Sequence, residues 1–223
     1  MITPDLSSIS AVLFDMDGLL LDSERVAYAI GREASEHLGL PWTHEVAMAM
    51  VGLNSQDGYR VVREAFGPDF PVDAHMAEFG RRYEAAIDAS RFDLKPGVHA
   101  LFDLLDARGM RRVVATSTRR SRAIAKLDSV GVWPRLHGLV GGDEVARGKP
   151  APDIYLAAAG LLDVPITDCL VLEDSNTGVR GGLASGARVI MVPDLLAPAE
   201  DVLASRVTVI DSLFGVIEAL GAP

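Results

Sequence analysis

The apolar run Ala-Val-Leu-Phe at positions 11–14 leads directly into two aspartates, Asp15 and Asp17, and then into Gly18. A short, continuous apolar run that ends at a turn signal is typical of a buried β-strand. Because side chains alternate along a strand, the two aspartates can share one face at its carboxyl end. Open α/β sheets bind their ligands at that edge. We therefore expect the fold and its site to be built around this segment.

Further short apolar runs are predicted to be strands of the same sheet, and helical patterns separate them. These runs lie at 112–115, 139–140, 169–172, 189–192 and 207–210, the last as an edge strand. Strands that are apolar throughout are typical of a parallel sheet that is covered on both faces. Their alternation with helices predicts an α/β fold with a doubly wound, Rossmann-like parallel sheet.

A segment after the first strand differs from the rest of the chain, because it contains helical patterns but no strand pattern. The helices are predicted at 24–39, 43–50, 55–66 and 72–90. We expect residues 19–92 to form an inserted all-helical cap domain, and residues 1–18 plus 93–223 to form the α/β core domain with the catalytic site. The connections at 19–23 and 91–97 are where we expect the cap to pivot.

The composition excludes several classes of protein. Of the 223 residues 49% are hydrophobic, which argues against disorder, and the net charge of −10 without a basic patch argues against extended nucleic-acid binding. No apolar run reaches membrane-spanning length and no signal-peptide pattern is visible, so we expect no membrane association. The single cysteine, Cys169, is expected in the core and fits a reducing compartment. We expect a cytoplasmic monomer.

Polar side chains follow the predicted strands where each strand ends, and one lysine lies in a loop between two strands. They are Asp15, Asp17, Thr116, Ser117, Glu173, Asp174 and Lys149. In a parallel sheet these positions fall on one edge. A carboxylate can attack phosphorus, a second carboxylate can transfer protons, and Mg²⁺ can bind carboxylate oxygens. Hydroxyl, backbone N–H and lysine groups can bind the phosphoryl oxygens, so the pattern predicts a phosphoryl-transfer site.

Four segments in order along the chain carry a family resemblance. D-M-D-G-L-L-L-D-S-E, V-A-T-S-T, G-K-P-A-P-D and L-E-D-S-N-T-G resemble the four motifs of the haloacid dehalogenase superfamily of phosphohydrolases. The pattern is most similar to the beta-phosphoglucomutase-like branch, which has a helical cap after the first motif. The resemblance implies that Asp15 is the nucleophile, that Asp17 is the general acid/base, and that Thr116 and Lys149 orient the phosphate.

The resemblance also implies a Mg²⁺ ion held by Asp15, the backbone carbonyl of Asp17 and Asp174, with Glu173 nearby or bound. Other interpretations remain open for several of these residues. Thr116 and Ser117 could cap the following helix, and Glu173 and Asp174 could complement the dipole of the helix that follows them. Lys149 could be a solvated side chain.

Additional residues are candidates for binding the substrate. Ser117 and Arg119 follow the second strand and could contact the phosphate, although Arg119 could also face only solvent. In the cap, Asn54, Ser55 and Gln56 follow Gly52 and are candidates for recognising hydroxyl groups, or could form a plain helix cap.

The cap sequence bears on the choice between phosphatase and mutase. The sugar mutases of this family place a histidine, a lysine and an arginine at cap positions that correspond here to Ala27, Val51 and Ser55. We therefore favour a Mg²⁺-dependent phosphatase that acts on a small phosphorylated metabolite, in particular a sugar or polyol phosphate. The alternatives are a beta-phosphoglucomutase-type mutase and a non-catalytic binding module. The binding module is disfavoured because all four charged motif residues are present.

Overall fold

The computed structural model describes residues 6, 8–51, 53 and 55–221, except for the side chains of residues 55 and 56. Its centre is a parallel sheet of six strands in the order β3-β2-β1-β4-β5-β6. The strands are β1 (Ala11–Phe14), β2 (Arg111–Ala115), β3 (Leu139–Val140), β4 (Cys169–Glu173), β5 (Arg188–Met191) and β6 (Thr208–Val209). The predicted doubly wound α/β sheet is therefore confirmed, and β6 is an edge strand as expected.

Helices cover both faces of the sheet. They are α5 (Val98–Ala107), α6 (Arg120–Ser129), α7 (Asp153–Leu161), α8 (Asn176–Ser185), α9 (Glu200–Ala204) and α10 (Leu213–Ala219). The sequence pattern did not predict the short helix α9. One apolar cluster contains Val12 and Phe14 and the other contains Ala11 and Leu13, so alternate side chains of β1 pack into opposite layers.

The register of the sheet aligns the carboxyl ends of its central strands. Phe14 of β1 lies opposite Val114 of β2 on one side and Leu172 of β4 on the other. The residues that follow these three strands consequently meet at one edge, as the sequence predicted.

Four helices are inserted between β1 and α5. They are α1 (Ser23–Leu38), α2 (His44–Met50), α3 (Ser55–Phe66) and α4 (Val72–Asp88). This insertion, which we call the cap, has two small apolar clusters, one around Ile30 and Ile87 and one around Val46 and Val62. The existence of the helical insertion is confirmed, whereas its limits at 19–92 stay a prediction.

The two connections between cap and core run side by side. The amide of Asp22 donates to the carbonyl of Asp93 at 2.9 Å, and the amide of Lys95 donates to the carbonyl of Leu20 at 2.9 Å. Backbone hydrogen bonds thus tie the connections together at the base of the cap.

Two expectations from composition can be compared with the fold. Cys169 is buried and unpaired, as expected for a core cysteine. In the described part of the chain, every helix is too short or too polar to span a lipid bilayer.

Candidate active site

Asp15 follows directly on β1, and its amide donates to the carbonyl of Leu172 at 3.0 Å, which continues the strand pairing. The residue is 7% exposed, and its carboxylate forms an ion pair with the ammonium group of Lys149. Burial raises the pKa of Asp15 to about 8; the charge of Lys149 opposes this rise and the charge of Glu173 adds to it. The structure thus brings together two motif residues that are 134 positions apart.

Lys149 lies in the loop before α7 and is held in place by Glu173. Its ammonium group donates to Glu173 at 2.5 Å. The carboxylate of Glu173 also accepts from the hydroxyl of Tyr155 at 2.7 Å, and from the amide and hydroxyl of Ser175 at 3.0 and 2.9 Å. A Cβ atom at Gly178 would lie 1.9 Å from the carboxyl carbon of Glu173, so α8 needs a glycine there. Glu173 therefore orients the lysine that faces Asp15.

Asp174 lies against Gly18, the glycine of the first motif. Gly18 has a φ of +87°, and a Cβ atom there would lie 2.2 Å from the Oδ2 atom of Asp174. Burial raises the pKa of Asp174 well above its usual range, and the negative charges of Asp15 and Glu173 add to the effect.

The charges at this edge fit a divalent cation. Asp15, Glu173 and Asp174 are all buried, and Lys149 forms ion pairs with Asp15 and Glu173. The raised pKa values of Asp15 and Asp174 mean that their charged forms are disfavoured here, and a bound divalent cation would favour them. Within the described ranges, no three His, Cys, Asp or Glu side chains alone form a metal-binding cluster. Mg²⁺ suits such a donor set, because it often uses one or two carboxylates and completes its shell with other oxygens.

Asp17 has a different set of partners. Its carboxylate accepts from the hydroxyl of Thr118 at 2.7 Å and from the hydroxyl of Ser23 at 2.5 Å, and it forms an ion pair with Lys126. Burial raises the pKa of Asp17, but the charge and hydrogen bond of Lys126 outweigh it, so the net effect is a lowered pKa. Asp15 and Asp17 are thus held by two different lysines.

The sequence analysis missed Lys126, Ser23 and Thr118 as partners of Asp17. A signal for Lys126 was present, because it follows Ala123 by three positions and precedes Leu127 by one, on the buried face of α6. Such a position usually takes an apolar residue, so a lysine there indicates a buried partner.

A cavity of about 300 Å³ opens between this edge of the sheet and the cap. Thr116 is buried at its base, and its hydroxyl accepts from the amide of Thr118 at 3.1 Å. Ser117 and Arg119 also line the cavity and are exposed. Asn54 lies outside the described residues, as do Gly52 and the side chains of Ser55 and Gln56.

The cationic side chains of the cavity are unevenly distributed. Among the described lining residues, the lysines and arginines are Lys149, Arg119 and Arg122, all from the core domain. The cap positions Ala27 and Val51 also line the cavity and carry no charge. The described cap residues that line the cavity therefore offer no Lys or Arg to a second phosphate.

The half-buried Glu24, at the start of α1, is a further acidic group of the cavity. Burial raises its pKa to about 7, and the charge of Asp17 adds to this rise.

Comparison with known proteins agrees with this geometry. Residues 9–186 match the family model described as haloacid dehalogenase-like hydrolase. The chain is 33% identical to the bifunctional riboflavin kinase/FMN phosphatase of Arabidopsis thaliana over 83% of its length, and it spans 49% of that protein. It is 32% identical to the protein CbbY of Rhodobacter capsulatus, covering 86% of this chain and 89% of the relative. It is 28% identical to the phosphorylated carbohydrates phosphatase of Thermotoga maritima, covering 80% and 82%.

Solved structures share the whole architecture. CbbY from Rhodobacter sphaeroides in complex with phosphate superimposes with a TM-score of 0.78 at 26% identity, covering 96% of this chain and 100% of the other. A variant of that protein in complex with xylulose-(1,5)bisphosphate superimposes with a TM-score of 0.75 at 25% identity, over the same shares of the two chains. The chain therefore belongs to the haloacid dehalogenase-like hydrolases, in the beta-phosphoglucomutase and CbbY branch that carries a helical cap.

Proposed function

We propose that the protein is a Mg²⁺-dependent phosphatase that hydrolyses a small phosphomonoester through an aspartyl-phosphate on Asp15. The observation that carries the proposal is the pairing of buried Asp15 with Lys149 beside Asp174, at the sheet edge that faces the cavity. A carboxylate nucleophile, a fixed cation and a second acidic residue for a metal are the groups that phosphoryl transfer needs.

In the first half-reaction an oxygen of Asp15 bonds to phosphorus and the bond from phosphorus to the leaving alcohol breaks. The alcohol oxygen takes a proton from Asp17. Lys149 lies beside Asp15 and supplies positive charge to the transferred group, while Thr116 and Ser117, with Arg119, supply donors at the start of α6.

In the second half-reaction water attacks the phosphorus of the aspartyl-phosphate. Asp17 takes a proton from that water, and phosphate leaves with Asp15 restored. Lys126 keeps Asp17 ionised in the free protein, which suits this base role. The acid role needs Asp17 protonated, and an arriving phosphate dianion raises its pKa by like-charge repulsion.

Asp15, Asp174 and the backbone carbonyl of Asp17 would hold Mg²⁺, and the bound ion would neutralise charge on the phosphoryl oxygens. Glu173 belongs to this acidic set, but its carboxylate is engaged by Lys149, Tyr155 and Ser175. We assign it the role of orienting Lys149.

Hydrolysis is favoured over mutase activity because the described cap lining carries no Lys or Arg for a second phosphate. A sugar or polyol phosphate is the favoured substrate class. The names of two similar proteins support it, one a phosphorylated carbohydrates phosphatase and the other solved with xylulose-(1,5)bisphosphate.

The experiment is a measurement of phosphate release from a panel of sugar, polyol, nucleotide and short-acid phosphates, with Mg²⁺ and with EDTA. We expect Mg²⁺-dependent release, and we expect Asp15→Asn to lower kcat by about three orders of magnitude or more while the circular dichroism spectrum is unchanged. Near-normal activity of Asp15→Asn would overturn the assignment of the nucleophile. Efficient conversion of a hexose 1-phosphate to its 6-phosphate with a bisphosphate primer would instead favour the mutase.

A further inference from the structure

The cavity has two ends of opposite character. The core end carries Asp15, Lys149 and the hydroxyl groups after β2, which suit the phosphoryl group. The cap end is formed largely by aromatic rings and methionines. Its main lining residues are Tyr28, Trp42, Met48, Met50, Phe79 and Tyr83.

Four aromatic rings of the cap end form two stacked pairs. The rings of Trp42 and His75 have centroids 5.0 Å apart and an interplanar angle of 21°. Those of Phe79 and Tyr83 lie 5.4 Å apart at 26°. Phe79 packs against one apolar cluster of the cap and Trp42 packs against the other. Both residues also line the cavity, so part of each ring faces it. Flat, apolar walls of this kind bind flat rings.

Among the described lining residues, the cap end offers few partners for a ligand made only of hydroxyl groups. Each hydroxyl that leaves water without a partner costs free energy, so a bare polyol would bind this wall poorly. The indole N–H of Trp42 is buried, and it has no hydrogen-bond partner within the described residues. This N–H group is enclosed by protein atoms, so a ligand in the cap end would contact the apolar ring faces and not this donor.

Resting on the proposed phosphatase function, we propose that the leaving alcohol carries an aromatic or heteroaromatic ring that packs in the cap end. The substrate is then a sugar or polyol phosphate that bears such a ring. A cavity of about 300 Å³ is at the lower end of the range for small-molecule sites, so one such ring system with its sugar or polyol arm is the expected size.

The test compares esters that differ only in the ring. Uridine 5′-monophosphate is paired with ribose 5-phosphate, and riboflavin 5′-phosphate is paired with ribitol 5-phosphate. Phosphate release is measured with Mg²⁺ under identical conditions, and kcat/KM is compared within each pair. We expect at least one ring-bearing ester to exceed its ring-free partner by about 10-fold or more, because binding removes one apolar ring face from water.

The outcomes separate this inference from the proposed function. If the ring-free ester is hydrolysed with an equal or higher kcat/KM in both pairs, the inference that the substrate carries a ring is wrong. The proposed phosphatase function is unaffected by that result. If none of the four esters and no member of the panel above releases phosphate, the proposed phosphatase function is wrong. The inference about the ring is then wrong as well.

Variants of the cap end provide a second test of the proposal. Phe79→Ala and Trp42→Phe are each assayed with both members of the preferred pair, and Leu156→Ala, at an exposed position on α7, is the matched control. We expect the kcat/KM ratio of ring-bearing to ring-free ester to fall at least threefold in the cap variants and to stay constant in the control. Partial unfolding scales both rates equally and leaves the ratio unaffected. An unchanged ratio in both cap variants overturns the proposal.

Discussion

The buried ammonium group of Lys126 joins Asp17 of the core to a cap residue. It forms an ion pair with the Asp17 carboxylate and donates to the hydroxyl of Tyr83 on α4 at 2.9 Å. It also lies 5.4 Å from the ring centroid of Tyr83 and 5.1 Å from that of Phe92. One desolvated cation therefore contacts both the proposed acid/base and the helix that covers it.

We predict that Lys126→Met destabilises the protein and slows turnover. The substitution leaves the Asp17 carboxylate without its cation, and breaking a buried ion pair by removing one partner costs about 3–5 kcal/mol. Urea denaturation measures the free energy of unfolding, and phosphate release measures kcat.

The double variant Lys126→Met with Asp17→Asn is the control for that prediction. Removing both charges leaves no unpaired carboxylate in the interior, so the double variant should be more stable than Lys126→Met alone. It should be inactive, because it lacks the proposed acid/base carboxylate of Asp17. Wild-type stability and kcat in Lys126→Met would show that the pair has neither role.

The glycines Gly18 and Gly186 form a matched pair for testing the position of Asp174. Both have a φ of +87°, but a Cβ atom at Gly186 meets nothing within 4 Å, whereas at Gly18 it meets the Asp174 carboxylate. Replacement of either glycine by alanine should lower the free energy of unfolding by about 1–2 kcal/mol, because of backbone strain. Only Gly18→Ala should also lower kcat/KM at limiting Mg²⁺, because Asp174 must move. Equal kcat/KM values for the two variants would mean that the position of Asp174 does not matter.

Much of the fold could be predicted because it follows from local patterns. The apolar strands, the helices between them and the strandless segment after β1 each have a periodicity that a single sequence carries. The parallel topology places the strand ends on one edge of the sheet, so it predicts that Asp15 and Lys149 lie in the same region. Their direct ion pair could not be predicted from that topology. The short helix α9 was missed because five residues carry too little periodicity.

The hydrogen bonds of Asp17 with Ser23 and Thr118 could not be predicted, because they depend on side-chain directions. Asp22 and Ser23, at the start of α1, are both residue types that favour helix N-caps. In the structure Asp22 makes no capping hydrogen bond, and Ser23 donates to Asp17 instead. The ring-lined cavity depends on how α1, α2 and α4 pack, which is likewise set by tertiary contacts.

We predict that Mg²⁺ stabilises the folded protein and that Asp174 is needed for it. A ligand that binds only the native state at 100 times its Kd adds about 2.7 kcal/mol, so the Tm should rise with Mg²⁺ concentration. Asp174→Asn should abolish most of the Mg²⁺-dependent rise in Tm. The Tm of this variant without metal should not be lower than that of the wild type, because the substitution removes the electrostatic repulsion between Asp174 and the carboxylates of Asp15 and Glu173.

Asp201→Asn is the matched control for the metal prediction. Asp201 is an exposed carboxylate paired with Arg180 at 2.6 Å, on the surface of the core domain. This variant should keep the full Mg²⁺-dependent rise in Tm. A full rise in Asp174→Asn would place the ion elsewhere.

The buried His75 should make the cap sensitive to acid. It is 2% exposed, stacks on Trp42, lies 5.7 Å from Phe70 between ring centroids, and has its Nε2 atom 3.3 Å from the carbonyl of Gly31. Burial lowers its pKa below the ordinary value of about 6.5, so the unfolded chain binds this proton more readily than the folded protein does. Stability should therefore fall as the pH drops below about 6.5, by at most about 1.4 kcal/mol per pH unit from this residue.

The measurement is the free energy of unfolding at pH 7.5 and 5.5 for the wild type, His75→Gln and the control His37→Gln, which changes an exposed histidine on α1. Carboxyl groups with raised pKa values, such as Asp15 and Asp174, bind protons in the folded state and work in the opposite direction. The prediction therefore concerns the difference between variants. Acidification should lower the free energy of unfolding more in the wild type and in His37→Gln than in His75→Gln. An equal decrease in all three proteins would show that His75 takes up its proton without opening the cap.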